Sequence, residues 1–144
     1  MSFITVQNTQ FYKDNRPYFI KGANYWQGIN LAANTEYGGN RNRLNNELDQ
    51  LQKMGVNNLR IMASSEGPDD QPYRMRPSLQ PSLGEYNENI FRGLDYLLDA
   101  ISKRKMTAVS KVYSKRISTK FIFKLIFLIL HLVTLSNFWH WSGG

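Results

Sequence analysis

Residues 40–62, NRNRLNNELDQLQKMGVNNLRIM, decide how this chain folds. Leu44, Leu48, Leu51 and Met54 recur at helical spacing, which argues an amphipathic helix. Asn40 is placed to accept from the first free N–H groups, as an N-cap does. Gly55 stands where a left-handed residue ends a helix. Only a short connection then separates this helix from Asn58–Met62 (NLRIM), a β-prone run in which Leu59 and Ile61 face one way and Arg60 the other. A helix running directly into such a strand is half of a parallel α/β unit.

Working outward, the flanks extend the same alternation. On the N-terminal side, Phe3–Val6 and Gln10–Tyr12 are short β-prone runs, and Lys13-Asp14-Asn15-Arg16 is turn chemistry. Tyr18-Phe19-Ile20 begins a further strand that Gly22 and Asn24 are expected to end. Gln27–Asn40 reads as loop. On the C-terminal side, Ala63–Glu85 carries four prolines and reads as a long loop. Asn87 or Glu88 then starts a second helix with an apolar face of Ile90, Phe91, Leu94, Leu97, Leu98 and Ile101. Lys103-Arg104-Lys105 at its end suits the negative pole of the helix dipole. Met106–Val109 reads as a third strand. Strand, helix, strand, helix, strand implies a parallel sheet with right-handed crossovers.

Charge and composition narrow the functions. The 144-residue chain has a net charge of +7. Up to Ser102 the eleven acids outnumber ten Lys and Arg, and the other eight basic residues fall between Lys103 and Lys124. The basicity thus belongs to one segment, and no nucleic-acid motif accompanies it, so nucleic acid is not an expected partner. The absence of cysteine excludes disulfides, zinc thiolates and thiol nucleophiles. His131 and His140 share no metal-ligand spacing, so no metal is expected, and no glycine-rich phosphate loop points to a cofactor. MSFITVQNTQF has no basic start followed by an apolar run, so no signal peptide is visible.

Five strings are more specific: Lys21–Asn30 (KGANYWQGIN), Asn57–Pro68 (NNLRIMASSEGP), Pro72–Pro77 (PYRMRP), Gly93–Leu98 (GLDYLL) and Asn137–Gly144 (NFWHWSGG). Together they resemble the N-terminal third of fungal endo-β-1,4-mannanases of glycoside hydrolase family 5. The resemblance covers nearly all of residues 3–109 and 134–144. It implies an α/β fold, an incomplete (β/α)8 barrel made of an N-terminal hairpin and about three β/α units. It also implies an endo-acting hydrolase of β-1,4-mannan, or of a related β-glucan, that retains configuration through two glutamates. Those glutamates follow the fourth and seventh strands of the family's barrel. They are expected beyond Gly144, which would leave the chain inactive by itself, and secretion is expected by the same resemblance.

Substrate-binding candidates come from the same strings. Arg60 falls on the family's arginine at the end of the second barrel strand, which orients and supports the nucleophile. Trp139 matches a sugar-stacking tryptophan, for which flat apolar sugar faces are suited, and Trp141 is divided between core and site. Asn24, Tyr25 and Trp26, at the end of the first strand, resemble groove-floor residues, although strand-end aromatics also simply pack. Glu66, Asp69 and Asp70 read as solvated loop acids.

Residues 110–133 (SKVYSKRISTKFIFKLIFLILHLV) interrupt the family pattern, dividing the chain into 1–109, 110–133 and 134–144. Sixteen of these 24 residues are Phe, Ile, Lys, Leu or Tyr, and Val109-Ser110-Lys111 can be encoded by a splice-donor sequence. An intron read through is one expectation. A membrane segment within 117–135 is another, with Lys120, Lys124 and His131 against it; it would make a membrane-associated sugar-binding remnant using Trp26 and Trp139. A buried amphipathic helix fits poorly, because Phe121–Leu132 is apolar nearly all round. In each case an insert within a core strand is expected to destabilise the chain.

Overall fold

The first turn of the long helix is set by one side chain. In the computed structural model, which describes residues 3–62 and 65–111, the Asn40 Oδ1 accepts from the Arg43 N–H at 2.9 Å and opens α2 (Arg41–Lys53). Gly55, with φ +81°, ends it. Its N–H reaches the Gln52 carbonyl, and the Val56 N–H reaches the Leu51 carbonyl, the two bonds of a Schellman cap. Leu44 and Leu48 are completely buried, whereas Met54, on the same stripe, is exposed because it sits in the capping turn.

Residues 3–20 form one unit. Strands β1 (Thr5–Gln7), β2 (Gln10–Lys13) and β3 (Arg16–Pro17) pair antiparallel in that order. The β2–β3 turn is Asp14-Asn15, both with positive φ, the twist that matches a tight hairpin.

Residues 21–111 form the second unit. Strands β4 (Gly22–Tyr25), β5 (Asn58–Met62) and β6 (Thr107–Lys111) make a parallel sheet in the order β4-β5-β6. The strand expected at Tyr18–Ile20 lies later, on residues expected to end it. Gly22 and Asn24 are poor strand formers, but here pairing with β5 outweighs local preference. The register is Asn24↔Arg60 and Tyr25↔Ile61 on one side, and Leu59↔Ala108 and Arg60↔Val109 on the other. It is stitched at the strands' starting ends. The Lys21 N–H donates to Asn57 Oδ1 at 2.9 Å, and the Asn57 N–H returns to the Lys21 carbonyl. The Thr107 N–H reaches the Asn57 carbonyl, and buried Asn58 donates through Nδ2 to Thr107 Oγ1 at 2.7 Å.

Leu59 and Ile61 are buried beneath the helices while Arg60 points to the other face. The helices are α1 (Gly28–Ala32), α2 and α3 (Glu88–Lys103), which pack on one another and on the sheet. Asn87 caps α3, accepting from Asn89 and Ile90. Gly93 lets α1 approach α3, since a Cβ there would lie 2.6 Å from the Ile29 carbonyl oxygen. At its far end α3 is tied to α2 by Arg104, which reaches Asp49 at 2.7 Å and the Asn45 carbonyl at 3.2 Å.

A second tie joins α2 to β4. The Tyr25 hydroxyl donates to Glu47 Oε2 at 2.7 Å, and Arg43 pairs with Glu47 Oε1 at 2.6 Å. Burial, and then the Glu47 carboxylate, push the Tyr25 phenol above its usual range, so it stays a donor. The Tyr25 hydrogen bond, and then Arg43, hold Glu47 below the usual carboxylate range.

The loop before α3 is not merely solvated. Its residues Ser78, Leu79 and Gln80 are buried, Leu79 completely. The 110–133 insert and 134–144 lie outside the described residues, except that β6 carries Ser110 and Lys111 opposite Ile61 and Met62. No helix among the described residues is long and apolar enough to cross a membrane, and segment 117–135 lies outside them.

Two measurements test this account. Gly93→Ala forces α1 and α3 apart and should cost about 1–3 kcal/mol in denaturant melts, the range for overpacking a tight contact. Glu47 has a lowered pKa in the fold, so its contribution is present above the unfolded value of about 4.3 and is lost as pH falls through the folded one. Glu47→Gln should therefore be less stable than wild type at neutral pH and lose less stability than wild type on acidification below about pH 4.3. Parallel acid limbs for the two proteins would contradict it.

Candidate functional site

Parallel pairing brings the ends of β4, β5 and β6 to one edge of the sheet. In closed α/β barrels that edge is where sites form. Asn24, next to last in β4, and Arg60, at the centre of β5 and not at the end where it was expected, are direct cross-strand partners just before that edge, and the Arg60 Nη1 donates to Asn24 Oδ1 at 3.2 Å. The bond aims the guanidinium along the face of the sheet away from the helices. It leaves other N–H donors of a planar, always charged fork for an anionic or hydroxyl-rich group.

Tyr25, one residue on, faces the opposite way. Strand alternation turns its ring toward α2, where it meets Glu47, and against Gly28, whose Cβ would fall 2.8 Å from the ring. The structure therefore brings Asn24 and Arg60 together and gives Tyr25 a tie to the helix layer. Trp26 follows β4 and is 59% exposed. An open cleft of about 410 Å³ runs along this strand end, lined by Asn24, Tyr25, Trp26, Gln27 and Glu47. Trp139, Trp141 and both histidines lie outside the described residues.

Glu47 was not a sequence candidate. Its only signal is the Arg43 to Glu47 spacing of four on an exposed helix face, which reads as an ordinary surface pair. The loop acids also have duties that their sequence context hides. Asp69 Oδ1 accepts from the Ser78 N–H at 2.7 Å and so closes the loop. Glu66 pairs through its backbone with Gln80 in a parallel bridge, and Asp70 is exposed. Among the described residues no group of three or more His, Cys, Asp or Glu could hold a metal ion.

The sequence profile of GH family 5 beta-mannosidase-like proteins matches residues 1–115. Mannan endo-1,4-beta-mannosidase 1 of Oryza sativa subsp. japonica is 34% identical over 102 residues, which are 70% of this chain and 21% of that protein. Mannan endo-1,4-beta-mannosidase 1 of Arabidopsis thaliana is 32% identical over 96 residues, 67% of this chain and 21% of that one. The chain thus spans about a fifth of the length of these curated relatives. The glycoside hydrolase family 5 mannosidase from Rhizomucor miehei, in its complex with mannosyl-fructose, superposes with a TM-score of 0.73 at 55% identity, covering 76% of this chain and 27% of its own. The endo-1,4-beta-mannanase of the same fungus matches with a TM-score of 0.54 at 15% identity, covering 76% of this chain and 29% of its own, a likeness of fold alone. The parallel unit of residues 21–111 corresponds to part of the barrel of these enzymes. The family match spans the strings at Lys21–Asn30, Asn57–Pro68 and Gly93–Leu98, and the chain belongs to the beta-mannosidase-like proteins of glycoside hydrolase family 5.

Proposed function

We propose that this chain is the groove-forming first part of an enzyme that hydrolyses β-1,4-mannosidic bonds with retention of configuration. The observation that carries the reading is the Arg60–Asn24 pair, on the face of the sheet turned away from the helices. Retention needs two carboxyl groups about 5–5.5 Å apart flanking the bond, one as acid/base and one as nucleophile. An arginine held by a neighbour's amide oxygen beside that position keeps a carboxylate ionised and oriented, which is the role we assign to Arg60. Neither Glu66 nor Asp69 is a candidate for the pair, because both belong to the stitched base of the loop. In this reading the two glutamates belong to later strands of the barrel and act on a sugar that this groove helps to hold. Trp26 gives a sugar an apolar face beside the cleft.

The mode of attack has two readings. The plant relatives are named as endo-acting enzymes, which supports cleavage within mannan chains. The 55% identity to a fungal mannosidase solved with mannosyl-fructose supports action on short mannosides.

Both are tested with the complete protein that contains this chain, incubated with soluble mannan and with mannooligosaccharides. A fast fall in viscosity ahead of sugar release marks internal cleavage, and mannose release at constant viscosity marks the mannosidase mode. Hydrolysis of β-1,4-glucan in preference to both would overturn the substrate assignment. Arg60→Ala should lower kcat about 100-fold or more, the scale for losing one preorganised donor. Arg60→Lys should recover little of it, since an ammonium cannot bond Asn24 and a carboxylate as a planar fork. A fall confined to KM would remove Arg60 from that role.

A further inference from the structure

We propose that Tyr73 is a stacking platform for a sugar remote from the cleaved bond, extending the groove beyond Trp26. The inference rests on the mannoside-hydrolase reading above and deepens it. Tyr73 lies in the PYRMRP string, which neither the core nor the Arg60 pair explains. Its ring is fully solvent-exposed, at 105% of the reference value. Its backbone is left-handed, with φ +60°, a conformation that bulky side chains rarely adopt and that costs free energy which the surrounding structure must offset. Among the described residues this large aromatic in a strained turn takes no part in the core.

The support beneath it is rigid. Ser65 and Gly67 bond the backbone of Gln80, Asp69 accepts from the Ser78 N–H, and Asn30 Nδ2 donates to the Pro77 carbonyl at 3.0 Å. Closer to the tip, the Arg74 guanidinium lies against Gly67, and Arg76 Nη2 donates to the Gln71 carbonyl at 2.9 Å. These bonds tie the segment on both sides of Tyr73, so the residue is presented to solvent. This loop leaves the end of β5, and Trp26 leaves the end of the adjacent β4. Two exposed aromatic residues are therefore carried by the segments that follow neighbouring strands. Pyranose faces pack on such rings through their C–H groups, with little demand on hydrogen-bond pattern. A β-1,4-linked chain presents such faces at successive units, so a second ring beyond Trp26 rewards chain length.

The test uses the complete enzyme with mannobiose and mannopentaose, comparing wild type with Tyr73→Ala, Tyr73→Gly and Tyr73→Phe. Loss of the ring should raise KM for mannopentaose about tenfold, the scale of one aromatic contact. It should leave kcat and the mannobiose constants unchanged, and Tyr73→Phe should match wild type. Glycine relieves the left-handed backbone, so Tyr73→Gly should melt no lower than wild type. Unchanged KM for the pentaose overturns the proposal. So does a fall in melting temperature of several degrees with equal losses on both substrates, which would mark a ring packed against the rest of the fold. If wild type splits no mannooligosaccharide, the substrate reading fails, and the same comparison is made on the matching β-1,4-glucose series. A length-dependent loss there keeps Tyr73 as a platform, and none removes it.

Discussion

Asn57 and Asn58 hold the sheet of residues 21–111 in register, and the site depends on that register. Two adjacent amides, with their backbone groups, bond Lys21 at the start of β4 and Thr107 at the start of β6. A parallel strand slipped by one residue would turn every side chain to the other face. Arg60 would then face the helices, and its charge would be buried with Leu44 and Leu48. The polar stitch at the starting ends of the strands thus secures the polar pair two residues further along. Parallel strands are hydrogen-bonded evenly and do not choose a register by ladder alone, so side-chain bonds at the strand starts have a specific task.

Much of this was legible from residue types. The Asn40 cap, the glycine that ends α2, the alternation in NLRIM and the Asn87 cap are local chemistry, and each is where it was expected. What was not legible depends on partners distant in sequence. β4 sits on Gly22–Tyr25 because β5 lies beside it, not because those residues prefer extended backbone. Leu79 is buried in a segment whose prolines suggested only loop. Tyr25 and Asn24 are adjacent in sequence and looked alike as groove residues. Only the register shows that one meets Glu47 and the other Arg60.

Gly93 shows how a family string acquires physical meaning. In sequence it interrupts an otherwise apolar helix face, where glycine is disfavoured. In space it is the point where the Ile29 and Ala33 backbone comes within reach of α3. The cost of an interior glycine is offset by close packing of a short helix that could not otherwise bury Ile29 and Ala32. Trp26 lies just before that short helix, so the packing of α1 also restricts where the cleft can begin.

The bonds between Ser65–Asp69 and Ser78–Gln80 close the long loop like a buckle. Chain between the two clasped ends contributes only its own closure entropy, which grows slowly with length. Residues 70–77 are therefore a cassette. Rearrangement at its tip is separated from Arg60 and the strand register by the clasp. What the tip of the loop presents is thereby uncoupled from what the sheet holds in place.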